Sequence, residues 1–221
     1  MRDGFRDVLP ILLGVIPFGL IFGVSAAASD VDQWAAWASS FIVFAGASQL
    51  AIVEVMGTGG AAVTALLTAI IINSRHLMYS ADMGRYTTDE PIGVRARVAY
   101  LLTDQAYLLS STKFPEPASS VGVIPYYFGT ALTLWTSWQI ATTSGFFLGN
   151  VIPESWSLEF AIPLVFGALL IVAVRTKPAL LAAIIGGVVA VAAVGLPYGL
   201  GLMLGAAAGI AAGMISERWL S

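Results

Sequence analysis

The chain reads as a succession of apolar runs, most of them about helix length for a bilayer, separated by short polar links. Eight runs can be marked, over 8–28, 34–56, 61–79, 98–111, 125–148, 158–174, 179–196 and 200–215. About 20 apolar residues in a helix cross a hydrocarbon core roughly 30 Å thick. Within the runs apolar and polar positions do not alternate, so the period-two pattern of a membrane β-barrel is absent. Lipid offers no partner to a backbone N–H or C=O, and helices are the remaining way to satisfy the backbone. The predicted fold is all-α: a polytopic transmembrane helical bundle with broken or re-entrant helices. The links are too short, and too poor in Pro, Ser and charge, to separate domains. The longest charged link is 82–97, followed by 113–120. A single integral membrane domain over 1–221 is therefore expected.

Composition strengthens this reading. The chain is 58% hydrophobic and only 10% charged, whereas soluble domains carry about a quarter charged residues. A soluble core could not hide so much apolar surface, so the bilayer is the solvent. A net charge of -3 argues against nucleic acid as a partner. The absence of cysteine excludes disulfides, zinc-thiolate sites and cysteine nucleophiles. Arg2 and Arg6 before an apolar run also suit a signal peptide, but the run over 8–28 has no clear end to a short h-region and is read as a retained first helix.

The positive charges bear on orientation. Arg2 and Arg6 flank the first run; Arg85, Arg95 and Arg97 follow the third; Arg175 and Lys177 follow the sixth; Arg218 follows the eighth. With a cytoplasmic N-terminus and eight simple crossings, the Arg85–Arg97 and Arg175–Lys177 clusters would fall outside, against the positive-inside rule. If the runs over 34–56 and 98–111 are re-entrant or half-helices, every cluster returns to the cytoplasm, and both termini lie there. The alternative is seven or eight full crossings that violate the charge rule.

The polar residues inside the runs carry the candidate chemistry. Positions 61–72 hold no charge, and the same run then ends in NSRHLMYS over 73–80. Charged groups at membrane depth are costly and tend to mark a pathway. On a helix Asn73 and His76 share one face, and Arg75 and Tyr79 the next. One reading is a polar wall that contacts substrate or a proton. The other is a helix end, with Arg75 snorkelling and Tyr79 in the aromatic belt. His76, the single histidine, is either a proton carrier or a satisfied structural group.

A second interruption is FAGASQ, Phe44 to Gln49. Small residues followed by Ser48 and Gln49 allow the helix to unwind, freeing backbone groups for a zwitterionic ligand. Half-helix N-termini suit carboxylates and C-terminal ends suit ammonium groups. The alternative is a tight helix crossing through Gly46, with Ser48 and Gln49 bonded to a neighbour. Asp104 lies among leucines in LLTDQAYLL. Desolvation favours its neutral form unless a cation pairs with it, and Arg75 is the candidate partner. Proton coupling and a structural ion pair both fit.

Two patterns concern packing. Gly201, Gly205, Gly209 and Gly213 lie along one helix face, as do Gly19, Gly23 and Ala27. Such stripes let a neighbouring backbone approach closely, within the chain or between subunits. Pro10 and Pro17 remove helical hydrogen bonds and are expected to bend the first run. Enzyme motifs are missing: there is no phosphate-binding Gly-Lys-Ser/Thr loop, no metal-ligand spacing and no nucleophile elbow. The expectation is a non-enzyme without cofactor or metal.

These motifs together resemble a known family. Pro17-Phe18-Gly19, Phe22-Gly23, FAGASQ, NSRHLMYS, LTDQAY over 102–107, the stretch over 138–150 ending in FFLGN, and LEFAIPLVF over 158–166 are similar to the AzlC family, the YgaZ-type large subunits of bacterial branched-chain amino acid exporters. The resemblance runs through nearly the whole chain. It implies export of valine and similar neutral amino acids across the bacterial inner membrane, driven by the proton gradient, with a small AzlD-like (YgaH-type) membrane subunit as partner. Substrate would then meet Phe44, Gly46, Ser48, Gln49, Asn73 and Tyr79, while Arg75, His76 and Asp104 would form a polar track. Gln105 stands where many relatives are expected to have an acid, leaving Asp104 as the only carboxylate there. A small-solute channel or a non-transporting scaffold subunit is the other class of function that such mid-membrane breaks suit.

Overall fold

In a computed structural model, the described residues are 1–29, 31–115, 120–149, 170, 174, 176–196 and 200–220. Among them there is no strand. The helices are α1 (Arg2–Val8), α2 (Leu12–Ala28), α3 (Gln33–Ile42), α4 (Gly46–Gly57), α5 (Ala62–Asn73), α6 (Arg75–Thr87), α7 (Ile92–Tyr100), α8 (Asp104–Lys113), α9 (Ser120–Gly149), α10 (Lys177–Ala192) and α11 (Leu200–Leu220). Among the described residues, two helical stretches are long and apolar enough to cross a bilayer, Arg2–Ala28 and Ala62–Thr87. The run read over 158–174 lies, apart from 170 and 174, outside the described residues, as does Arg175.

The chain divides into two compact units. One comprises Met1–Glu54 with Ala69–Ile152, the other Val55–Thr68 with Pro153–Ser221.

In the first unit α9 is the central helix, packed against α1, α2, α3, α6 and α8. Glycine makes the closest of these crossings. A Cβ on Gly23 would strike the backbone of Thr142, Gly145 and Phe146, and one on Gly145 would strike the backbone of Leu20. At the other end, Gly4 lies against the Tyr126 carbonyl and Gly129 against the backbone of Met1. The stripe Gly19, Gly23, Ala27 therefore serves packing within the chain. Pro10 sits in a 3-10 turn over Leu9–Ile11 that joins α1 to α2, while Pro17 lies inside α2, which continues past it.

In the second unit α10 and α11 form a helical hairpin. A Cβ on Gly205 would be 2.7 Å from Ala190 Cβ and from the Gly186 carbonyl; one on Gly209 would be 2.9 Å from the Ala182 carbonyl. The stripe over Gly201–Gly213 is thus occupied by α10. At the end of α4, Gly59 has φ +77°. Its N–H bonds Met56 O at 3.0 Å, and the Gly60 N–H bonds Val55 O at 2.8 Å. This double cap needs a left-handed residue, which glycine adopts without steric cost.

One expectation needs correction. The link read over 82–97 is largely helical, because α6 continues to Thr87 and α7 begins at Ile92. Charge ends a membrane span but not a helix. Asp82 and Arg85 pair at i,i+3 along α6, and Pro91 stands at the start of α7, where a missing N–H is harmless.

Candidate functional site

Three of the apolar runs are interrupted, and the polar residues gather at the interruptions. The first lies between α3 and α4. Phe44 has φ 45°, in the left-handed region, a conformation that costs a bulky residue energy and persists only where its surroundings hold it. They do. A helix end leaves its last carbonyls and first N–H groups without intrahelical partners, and side chains from across the unit supply them. Gln139 Nε2 donates to Ser40 O at 2.9 Å. Tyr100 Oη donates to Phe41 O at 2.5 Å. Gln49 Oε1 accepts from Ala45 N at 3.1 Å, and Gln49 Nε2 donates to Ser39 Oγ at 2.8 Å and Ser40 Oγ at 3.4 Å. Ser48 Oγ donates to Ala45 O at 2.9 Å. The broken helix anticipated at FAGASQ is present, with capped ends.

The second is a tightened turn at Ser74, between α5 and α6, where the backbone stays right-handed helical. Asn73, the last residue of α5, donates from Nδ2 to Ser48 Oγ at 2.9 Å. One side-chain bond thus joins the two interruptions. Asn73 Oδ1 is buried and has no hydrogen-bond partner among the described residues. His76 Nδ1 is 3.2 Å from Asn73 O. A carbonyl can only accept, so this contact needs the proton on Nδ1.

The third interruption covers 101–103, between α7 and α8. Thr103 caps α8, its hydroxyl accepting from Ala106 N at 3.3 Å. Asp104 follows in the first turn, where the positive helix end favours a carboxylate. Asp104 Oδ2 meets Arg75 Nη1 at 3.0 Å, so the pairing anticipated from the sequence is made. Its other oxygen is buried and unpartnered among the described residues. Tyr79 lies beside this pair and stacks on Tyr107 with ring centroids 4.4 Å apart. Tyr107 in turn donates to Asp82 at 3.2 Å.

This geometry distinguishes the candidate residues. Ser48 and Gln49 are fully buried and their polar groups are engaged in holding the break. Gly46 is roofed by Trp138 and Phe18: a Cβ there would meet both rings. Phe44 is buried in the same region. Asn73 keeps one buried oxygen without a partner among the described residues, and Tyr79 lies against the Asp104 carboxylate. Arg75, His76, Asp104, Tyr79 and Tyr107 form a connected cluster along α6 and α8.

Trp138, Gln139, Tyr100 and Tyr107 were not singled out as site residues from the sequence. Gln139 carried a signal, since it is an amide within a charge-free run, as Gln49 is. Nothing local marks Tyr100 as the partner of Phe41 O.

The family profile described as AzlC protein matches residues 10–152, which include all three interruptions and their partners. The chain belongs to the AzlC family. It is similar to the inner membrane protein YgaZ of Escherichia coli, 26% identical over 203 residues that cover 88% of this chain and 82% of that protein. An uncharacterized membrane protein of Archaeoglobus fulgidus is 26% identical over 195 residues, covering 86% and 83%. One from Helicobacter pylori is 23% identical over 169 residues, covering 75% and 72%. No solved structure gives a significant match. The AzlC chain described here is accordingly an all-α membrane protein.

The Arg75–Asp104 pair of this AzlC chain lends itself to a stability test. Its side chains are 41% and 35% exposed. In water such a pair contributes about 0–1 kcal/mol, whereas an unpaired charge at membrane depth costs about 2.5–3.5 kcal/mol. The single variants Arg75→Ala and Asp104→Ala are expected to melt lower in detergent than the double variant. Additive losses would place the pair in a solvated setting.

Proposed function

We propose that this chain is the large subunit of a secondary transporter. It exports branched-chain amino acids such as valine, or similar neutral apolar ones, across the cytoplasmic membrane. Export is driven by the proton gradient, a small AzlD-like membrane subunit is the partner, and both termini face the cytoplasm.

The observation that carries this reading is the bond from Asn73 Nδ2, at the α5–α6 junction, to Ser48 Oγ, beside the α3–α4 break, together with the buried Asn73 Oδ1, unpartnered among the described residues. Irregular backbone at membrane depth is tolerated where it is enclosed by protein or lines a cavity, and transporters build midplane sites from such broken helices. An amino acid zwitterion needs an anion site and a cation site close together. The first turn of α4 offers N–H groups at the positive end of a twelve-residue helix, and Asn73 Oδ1 offers an acceptor for an ammonium group. Ser48 and Gln49 keep these elements in place. The aliphatic side chain is left to apolar surroundings that include Phe44. The Arg75–Asp104 pair gives the polar cluster a candidate coupling element.

Proteoliposomes containing the chain and its small subunit test the proposal. Vesicles loaded with unlabelled valine should accumulate labelled valine by counterflow, with saturation, and a pH gradient should change the rate. Flux linear in concentration and without counterflow would indicate a pore and overturn the carrier reading.

A further inference from the structure

Next to the α3–α4 break, two consecutive residues of α9 keep unpartnered polar atoms in the protein interior. Gln139 is 7% exposed and Trp138 4% exposed. Gln139 Oε1 and Trp138 Nε1 are both buried without a hydrogen-bond partner among the described residues. Such groups normally find partners, and each one left unmet costs folding energy. Gln139 is held in place, because its Nε2 donates to Ser40 O in the last turn of α3. That bond directs the amide to the break and leaves its oxygen, an acceptor, unused. Trp138 lies over Gly46, the first residue of α4, and is backed by Phe18 at 5.5 Å and Phe22 at 5.9 Å between ring centroids. Its unused atom is a donor.

A bonded path joins Gln139 to Asn73. It runs from Gln139 to Ser40, from the Ser40 hydroxyl to Gln49, through Ala45 to Ser48, and from Ser48 to Asn73. Both ends of the path finish in a buried amide oxygen that accepts from none of the described residues. The interior members, Ser48 and Gln49, have little capacity left. The open hydrogen-bonding capacity around this break therefore lies at its ends and on Trp138.

We propose that Gln139 is a specificity residue for an α-amino acid, with its Oε1 accepting a hydrogen bond from the substrate ammonium group while the carboxylate is held at the first turn of α4. This rests on the transporter reading above and assigns a residue that the sequence motifs did not. An ammonium has three N–H donors and no acceptor, which suits an unused carbonyl oxygen. The Trp138 indole N–H, buried and without a partner among the described residues, adds a donor for the carboxylate. A site built to bond a substrate N–H discriminates strongly against an analogue that lacks it.

The experiment compares binding of valine and 3-methylbutanoate, which lacks only the amine, to the detergent-purified protein with its accompanying subunit. Wild type should prefer valine. In Gln139→Leu that preference should shrink at least tenfold, mainly through weaker valine binding. In Gln139→Glu, whose neutral carboxyl can still donate to Ser40 O and keep a second oxygen as acceptor, the preference should persist. Thermal unfolding identifies folded variants, and should Gln139→Leu not fold, the Gln139→Glu ratio decides. A purely structural glutamine would weaken both ligands alike, and an unchanged ratio in Gln139→Leu, or a lost preference in folded Gln139→Glu, overturns the assignment. Failure of wild type to bind valine at all would overturn the transporter reading and this assignment with it, an outcome distinct from failure in the variants alone.

Discussion

Asn73→Ala is expected to abolish most valine transport while leaving the protein folded. The residue makes one interhelical bond, to Ser48, and such bonds in membranes contribute on average about 0.6 kcal/mol. Expression and melting temperature should therefore stay close to wild type. Its free Oδ1 faces no partner among the described residues. If it meets the substrate, its loss leaves an ammonium N–H unpaired in a dry site, at about 1–3 kcal/mol, a roughly 5- to 150-fold drop in affinity. Counterflow in proteoliposomes reads the loss directly. Wild-type transport at normal expression would reassign Asn73 to the scaffold that joins the two interruptions.

Gly23→Ala should be among the most destabilising single-methyl changes in the first unit. The added Cβ would meet backbone atoms of Thr142, Gly145 and Phe146, which cannot rotate away as a side chain can. Forcing α2 off α9 is overpacking, with a cost of about 1–3 kcal/mol. Gly14→Ala is the matched control on the same helix, because a Cβ there meets nothing within 4 Å. Melting in detergent should fall for Gly23→Ala and stay level for Gly14→Ala. Equal melting of both variants would contradict the close approach of α2 and α9. The contrast matters for function, since α9 also carries Trp138 and Gln139 to the α3–α4 break.

Much of this protein was legible from one dimension. Long apolar runs without alternation leave helices as the way to satisfy a backbone in lipid, and the AzlC motifs matched the family. The weak point of the second run could be read because Gly46 brings backbone freedom and Ser48 a hydroxyl that competes for backbone groups. Asn73 and Asp104 stood out because polar groups in apolar runs must be satisfied somewhere. Arg75 was then the nearest cation to propose for Asp104, and the two do meet at 3.0 Å. The link over 82–97 was misread, because charge content reports where a chain leaves the membrane and not where a helix stops.

What the sequence by itself determined is the solvent, the helical class and the places where apolar runs would yield. Those follow from local composition, since each residue's transfer energy and backbone preference act where it stands. The tertiary structure alone decided which partners hold the yielding points. Gln139 reaches Ser40 across 99 positions and Tyr100 reaches Phe41 across 59. The glycine stripe of α2 was turned to α9 and that of α11 to α10. Those pairings depend on how helices cross, and a crossing is set by the summed fit of two whole faces, which no local pattern encodes. The same packing decided that Gln49 is consumed in holding the break while Gln139 keeps an acceptor free, a difference between two amides that look alike in the sequence.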